Sequence, residues 1–209
     1  MSEQARHVEL LRARGIRDER VLAALGRVPR ELFVPPELRE RAWEDSALPI
    51  GEGQTISQPY MVAAIAEALE LTGPERVLDV GAGSGYQAAV LAELSAEVVA
   101  IERVEELAGR ARANLVRAGY ERVEVLAGDG TLGVPERAPF DAIAVAAAAP
   151  RVPPALYEQL APGGRLVLPV GSRRHQTLEV VERGPHGPVR RATVACAFVP
   201  LIGSDGFGV

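Results

Sequence analysis

The sequence predicts an α/β protein built on a doubly wound, mostly parallel sheet, with a helical cap before it and antiparallel strands after it. Three observations predict this. Val77 to Gly85, VLDVGAGSG, is an apolar strand that runs into glycines at alternate positions, the start of a nucleotide-binding strand, turn and helix. From there to Val170, short apolar runs and helical runs alternate, as parallel strands with right-handed crossovers require. Past Gly171 the alternation stops, and two strand-like runs are joined by Gly184, Pro185, Gly187 and Pro188, a hairpin signature. At 209 residues the chain fits a single domain, with 1–50 as helical cap and substrate loop, 51–171 as cofactor-binding core and 172–209 as antiparallel strands.

Taken in order, residues 3–42 read as short amphipathic helices around Val8, Leu10 and Leu11, then Val21, Leu22 and Leu25, broken by Gly15, Gly26, Pro29, Pro35 and Pro36. Residues 43–59 lose helical periodicity and are rich in Gly, Pro, Ser and Thr, so a long functional loop is expected. Ser57 can N-cap the next helix, whose apolar face is Met61, Ile65, Ala68 and Leu69 and which ends near Thr72 and Gly73. Val77, Leu78 and Val80 suit a strand buried on both faces, followed by a helix carrying Ala88, Val90, Leu91 and Leu94. Strands are then expected at 98–101, 123–126, 142–145 and 166–170, and helices near 104–118 and 154–160. The edge strands are 177–182 and 189–198.

Composition narrows the function. A net charge of −5 with no basic face argues against a protein that wraps nucleic acid. No apolar run is long enough to span a bilayer, and the opening MSEQARHVEL lacks the apolar core of a secretory leader, so the cytoplasm is the expected compartment. Cys196, the single cysteine, is expected to be a small buried residue. His7, His175 and His186 are expected on the solvated surface. Every Lys/Arg position is Arg, which reads as compositional bias and carries no function. With no HExxH, no Cys and His pair and no GxSxG, neither metal hydrolysis nor the common acyl-enzyme routes have their parts; no metal is expected.

The glycine turn reads GxGxG, and Tyr86 stands where a dinucleotide fingerprint needs its last glycine, which weakens NAD or FAD. Asp79 would repel a pyrophosphate, whereas a ligand carrying an ammonium and a sulfonium, such as S-adenosylmethionine, would welcome it. The bland alternative is a turn that packs a helix on a sheet, with Asp79 a solvated strand end. Glu102 ends the second strand about twenty residues on, where an acid can accept both hydroxyls of a ribose; the alternative is an exposed Glu beside Arg103. Asp129, within Gly128, Asp129 and Gly130, can accept from an adenine amino group or simply make a turn. If a methyl is transferred to a carboxylate of pKa ~3.5 to 4, the acceptor is already anionic and needs no general base.

LPIGEGQTISQPYMV at 48–62, VLDVGAGSGYQAAVLA at 77–92, IER at 101–103, GDG at 128–130, QLAPGGRLVLPVG at 159–171 and FVPLIG at 198–203 closely resemble the protein-L-isoaspartate O-methyltransferases, nearly end to end. The TISQP loop is far more specific than the glycine turn. The resemblance implies a methyltransferase-type Rossmann-like fold, and a repair enzyme that uses S-adenosyl-L-methionine to methylate the free α-carboxylate of L-isoaspartyl residues in damaged proteins, leaving S-adenosyl-L-homocysteine; the ester then collapses to succinimide. By position it implies Ser57 as the active-site serine that orients the substrate carboxylate, with Thr55, Ile56, Gln58 and Val199 as further substrate contacts. Asp79, Gly81, Ala82, Gly83, Gly85, Glu102, Asp129 and Gly130 are then the expected cofactor contacts. Trp43 and Asp45 are expected to pack the loop, Asp79 stands where many members have Glu, and Ala146 replaces a usual Thr. A monomer acting on isoaspartyl proteins and peptides, with no nucleic acid or membrane partner, is expected. The rival readings are a carboxyl methyltransferase of other specificity, a noncatalytic adenosyl-binding module and, last, an NAD-dependent oxidoreductase.

Overall fold

The computed structural model describes residues 3–208; Met1, Ser2 and Val209, which the expected domain includes, lie outside them. Two helices, α1 (Glu3–Ala13) and α2 (Glu19–Arg27), form the cap, and the Asp18 side chain caps α2 by accepting from the Arg20 and Val21 amides. The carboxylate of Glu67 accepts from the amides of Arg17 and Asp18, which fastens the cap to α3 (Pro59–Leu69). His7 is buried under Trp43, ring centroids 5.8 Å apart, and not on the surface as its polarity suggested. Its neighbours explain the correction: α1 presents His7 and Leu11 to the rest of the cap and Leu10 to solvent.

Between cap and sheet, the loop holds a short antiparallel hairpin, β1 (Leu48–Gly51) and β2 (Gln54–Ile56), where the sequence promised only irregular chain. The sheet proper is β3 (Arg76–Val80), β4 (Glu97–Glu102), β5 (Glu124–Ala127), β6 (Phe140–Val145), β7 (Leu160–Gly171), β8 (Gln176–Gly184) and β9 (Gly187–Cys196). Their spatial order is β5-β4-β3-β6-β7-β8-β9, parallel from β5 to β7 and antiparallel from β7 to β9, as expected. β7 begins earlier than its apolar run because Leu160 already pairs with Phe140 before the register shifts. Cys196 is half-buried rather than buried, since β9 is an edge strand with one side open.

Strand residues alternate between two cores: Val77, Val98 and Ala100 face one, and Leu78, Val80, Val99 and Ile101 face the other. Both faces are covered, which is why these strands read as continuous apolar runs. Helix α4 (Tyr86–Ala92) is buried on every side, wedged among the sheet, α2, α3 and α5 (Glu105–Arg117). Each fully buried Leu or Val here contributes about 1.5–3 kcal/mol. The strand order reverses between β3 and β6, and that reversal leaves a crevice at their carboxyl ends, where open sheets of this type bind ligands.

Candidate active site

β3 ends at Val80 and the chain turns through Gly81 at φ +85° and Gly83 at φ +53°, conformations a side chain would strain. The amides of Gly81 and Ala82 donate to the Ile101 carbonyl at 2.9 and 3.2 Å, and the Gly83 amide donates to Glu102 Oε2 at 2.8 Å. Glu102 Oε1 accepts from the Val104 amide at 2.9 Å, so this carboxylate is buried and fixed at the tip of β4. Asp79 lies wholly buried behind the turn, where Gln87 Nε2 donates to Oδ1 at 2.7 Å and Oδ2 has no partner. Burial pushes its carboxyl up to about 7; the Gln87 bond opposes this, and the nearby Glu102 charge adds to it. Asp79 is therefore no solvated strand end.

The turn opens onto a cleft lined by Gly81, Ala82, Gly83, Glu102 and Gly130 and by Thr55, Ile56, Ser57 and Val199. A Cβ on Gly130 would stand 2.7 Å from Val80 Cγ1, so glycine lets the β5 turn close against β3. Asp79, Gly85, Gln58 and Asp129 are outside that wall. Asp129 Oδ1 accepts from the Thr131 amide and hydroxyl at 2.9 and 2.6 Å, and Oδ2 accepts from the Ser204 amide at 2.8 Å. Burial raises its carboxyl, but the bonds from Thr131 and Ser204 outweigh it and hold it below the usual value. This acid makes a turn and at the same time ties down the segment whose Pro200, Leu201 and Ile202 complete the cleft. Their role had no signal in the sequence beyond the FVPLIG stretch.

A second, open groove runs alongside, between Arg14, Gln58, Tyr60, Met61 and residues 194–199. Thr55, Ser57, Ala146 and Val199 line both cavities and form the partition between them. Ser57 does not cap α3: Gln58 occupies the cap position, with Pro59 opening the helix, and no side chain bonds there. Among the described residues no protein group engages the Ser57 hydroxyl. Val199 lies beyond β9, in irregular chain whose carbonyl accepts from the Ala148 amide at 2.8 Å. Asp45 packs the loop, accepting from the Tyr60 amide at 3.0 Å and pairing with Arg14, whose guanidinium sits 3.9 Å over the Tyr60 ring. No cluster of three or more His, Cys, Asp or Glu among the described residues could hold a metal ion.

Residues 2–206 match the model of the protein-L-isoaspartate(D-aspartate) O-methyltransferase family. The chain belongs to that family. Among the family's curated members, the protein-L-isoaspartate O-methyltransferase of Methanoculleus marisnigri is 56% identical over 199 residues, covering 94% of this chain and 90% of the relative. That of Methanopyrus kandleri is 54% identical over 208 residues, covering 97% and 92%. A Plasmodium falciparum structure described as a protein-L-isoaspartate O-methyltransferase in complex with S-adenosyl-L-homocysteine superimposes with a TM-score of 0.85 at 26% identity, over 97% of this chain and 99% of that one. The isoaspartyl methyltransferase architecture thus extends over the cap, the sheet and the antiparallel edge together.

Proposed function

We propose that this chain transfers a methyl group from S-adenosyl-L-methionine to the free α-carboxylate of L-isoaspartyl residues in damaged proteins and peptides, with S-adenosyl-L-homocysteine as the other product. The observation that carries this is the partition of Thr55, Ser57, Ala146 and Val199, which sets a groove open to a peptide against a cleft built on the glycine turn. The cleft suits a cationic adenosyl ligand. Asp79 Oδ2, Ser84 Oγ and Gln87 Oε1 are buried without partners, and burying such atoms unsatisfied is costly unless a ligand completes them. Glu102 in the cleft wall and Asp79 buried behind the glycine turn are close enough for their charges to act on each other, and together they favour positive charge there.

In this reading Asp79 receives the ligand's ammonium, Glu102 accepts from the ribose hydroxyls, and the turn of Gly81, Ala82, Gly83 and Gly85 admits it closely. Asp129 and Gly130 border the adenine. The sulfonium supplies an electrophilic methyl carbon. Ser57 donates its free hydroxyl to one oxygen of the substrate carboxylate, leaving the other aimed across the partition, while Thr55, Ile56, Gln58 and Val199 hold the peptide. No general base is needed, because the acceptor is ionised at neutral pH; catalysis rests on alignment. The ester then collapses to succinimide without the protein's help. The chain acts as a monomer in the cytoplasm and takes neither nucleic acid nor membrane as partner. This is in keeping with its net charge of −5 and with the finding that no helix among the described residues is long and apolar enough to cross a membrane.

Labelled methyl transfer to an isoaspartyl peptide and to its aspartyl twin tests the proposal. Selective labelling of the isoaspartyl form is expected; equal labelling points to a carboxyl methyltransferase of other specificity, and adenosyl binding without turnover to a noncatalytic module. Calorimetry should show S-adenosylhomocysteine bound in preference to NAD.

A further inference from the structure

Arg30 is the largest fully buried side chain in the described protein, and the chemistry above gives it no part. It opens a short 3-10 turn, Arg30–Leu32, just after Pro29, and its guanidinium points under the loop that carries Ser57. There it donates to three main-chain carbonyls: Ala42, Ser46 at 3.3 Å and Ser57 at 2.9 Å. No carboxylate forms an ion pair with it among the described residues, and Nε has no partner at all. Burial lowers its pKa to about 10, against the opposing pull of Tyr86 and Glu44, which raise it. A buried cation without a counterion is an expensive way to fill a core. Its guanidinium lies 5.5 Å from the centroid of the Tyr86 ring, on the first residue of α4 and in the wall of the cleft.

One side chain therefore touches both the peptide bond of Ser57 and the residue that follows the glycine turn. We propose that Arg30 is a positioning residue that holds the Ser57 main chain against the cleft, so that the serine hydroxyl meets the substrate carboxylate in line with the methyl donor. This rests on the role given to Ser57 above. The fork of the guanidinium suits the task, since one Nη reaches both Ser46 and Ser57 while the other takes Ala42. The loop keeps other anchors: the β1–β2 ladder, Asp45 on the Tyr60 amide, and Gln58 Nε2 on the Asp45 carbonyl at 2.9 Å. Loss of the fork should accordingly shift Ser57 without unfolding the loop, and a misplacement near 1 Å can cost on the order of 100-fold in rate.

Arg30→Lys keeps the charge and loses the fork; Arg30→Met removes both. With an isoaspartyl peptide, kcat should fall by roughly 10- to 100-fold in Arg30→Lys, while the affinity for S-adenosylhomocysteine stays within about threefold. A double-mutant cycle separates positioning from mere stability. If Arg30 acts through Ser57, then Arg30→Lys in a Ser57→Ala background costs little more, whereas independent effects would multiply. Multiplying losses, or an equal loss of cofactor affinity, would overturn the proposal. Amide hydrogen exchange gives a readout free of activity, and it survives if Arg30→Met does not fold: residues 54–58 should exchange at least about tenfold faster in Arg30→Lys, with α3 unchanged. Unchanged exchange at 54–58 also overturns it. A wild-type chain that fails to label isoaspartyl peptide would count against the proposed function, and the exchange result would still decide whether Arg30 holds the loop.

Discussion

Asp79→Asn should make the empty protein more stable and a poorer binder of its cofactor. The carboxyl ordinarily titrates at 3.8 and is pushed up to about 7 by burial. Between those two values the folded chain holds a proton that the unfolded chain has released, so stability is lost as pH rises through that window. At about 1.4 kcal/mol per pH unit, the ionised group costs the fold about 4 kcal/mol by pH 8 and nothing below pH ~4. Asparagine never ionises. Its oxygen can still accept from Gln87, though its amide stands unpartnered where Oδ2 was, so the net gain at pH 8 is about 2–3 kcal/mol, or roughly 5–10 °C in Tm for a chain of this size. Thermal unfolding of the cofactor-free protein at pH 4, 5.5, 7 and 8 measures it. A gain at pH 8 no larger than that at pH 4 would refute the reasoning, because an unstressed carboxylate gives a pH-independent difference. Calorimetry with S-adenosylhomocysteine should show affinity down by roughly tenfold or more, since a neutral amide replaces a charge-assisted partner of the ammonium.

Ser57→Ala should lower kcat for isoaspartyl peptide by roughly 10- to 100-fold with cofactor affinity intact, as loss of one positioned donor implies; parallel losses in steady-state kinetics and calorimetry would make the serine structural. Glu102→Gln should weaken S-adenosylhomocysteine by roughly tenfold or more, because one charged acceptor for the diol and for the Gly83 amide is replaced by an amide; an unchanged Kd would remove the ribose role. His7 has its pKa lowered by burial, with Arg30's charge adding to the effect. The unfolded chain therefore takes up a proton below 6.5 that the folded one resists, and stability falls as pH drops through that value. His7→Phe should flatten the part of the Tm profile between pH 7 and 5; an identical slope in wild type and variant would show that His7 does not govern it.

What could be read in advance was whatever rests on long apolar runs. β3, its glycine turn and the alternation beyond it are continuous stretches buried on both faces, and such stretches leave no other reading. The glycine turn and Glu102 meet in one cleft because they end neighbouring strands beside the switch point, whereas Ser57 and Val199, in loops outside those strands, were legible only through the family resemblance. Local chemistry misled where tertiary contacts decide. Ser57 is a good capping residue by type, yet Pro59 sets the start of α3 one residue later. His7 and Arg30 are polar in sequence and buried in fact, each beneath an aromatic ring, Trp43 or Tyr86, that lies far along the chain. The β1–β2 hairpin, four residues paired with three around Gly51 and Gly53, is too short to announce itself by alternation.

The partition of Thr55, Ser57, Ala146 and Val199 also separates two histories of change. Arg14, Tyr60 and Cys196 line the groove and not the cleft, whereas the glycine turn and Glu102 line the cleft and not the groove. On the proposed assignment of peptide to the groove and methyl donor to the cleft, new polypeptide preferences can arise by mutation on one side of a four-residue fence while the donor chemistry on the other side is inherited whole.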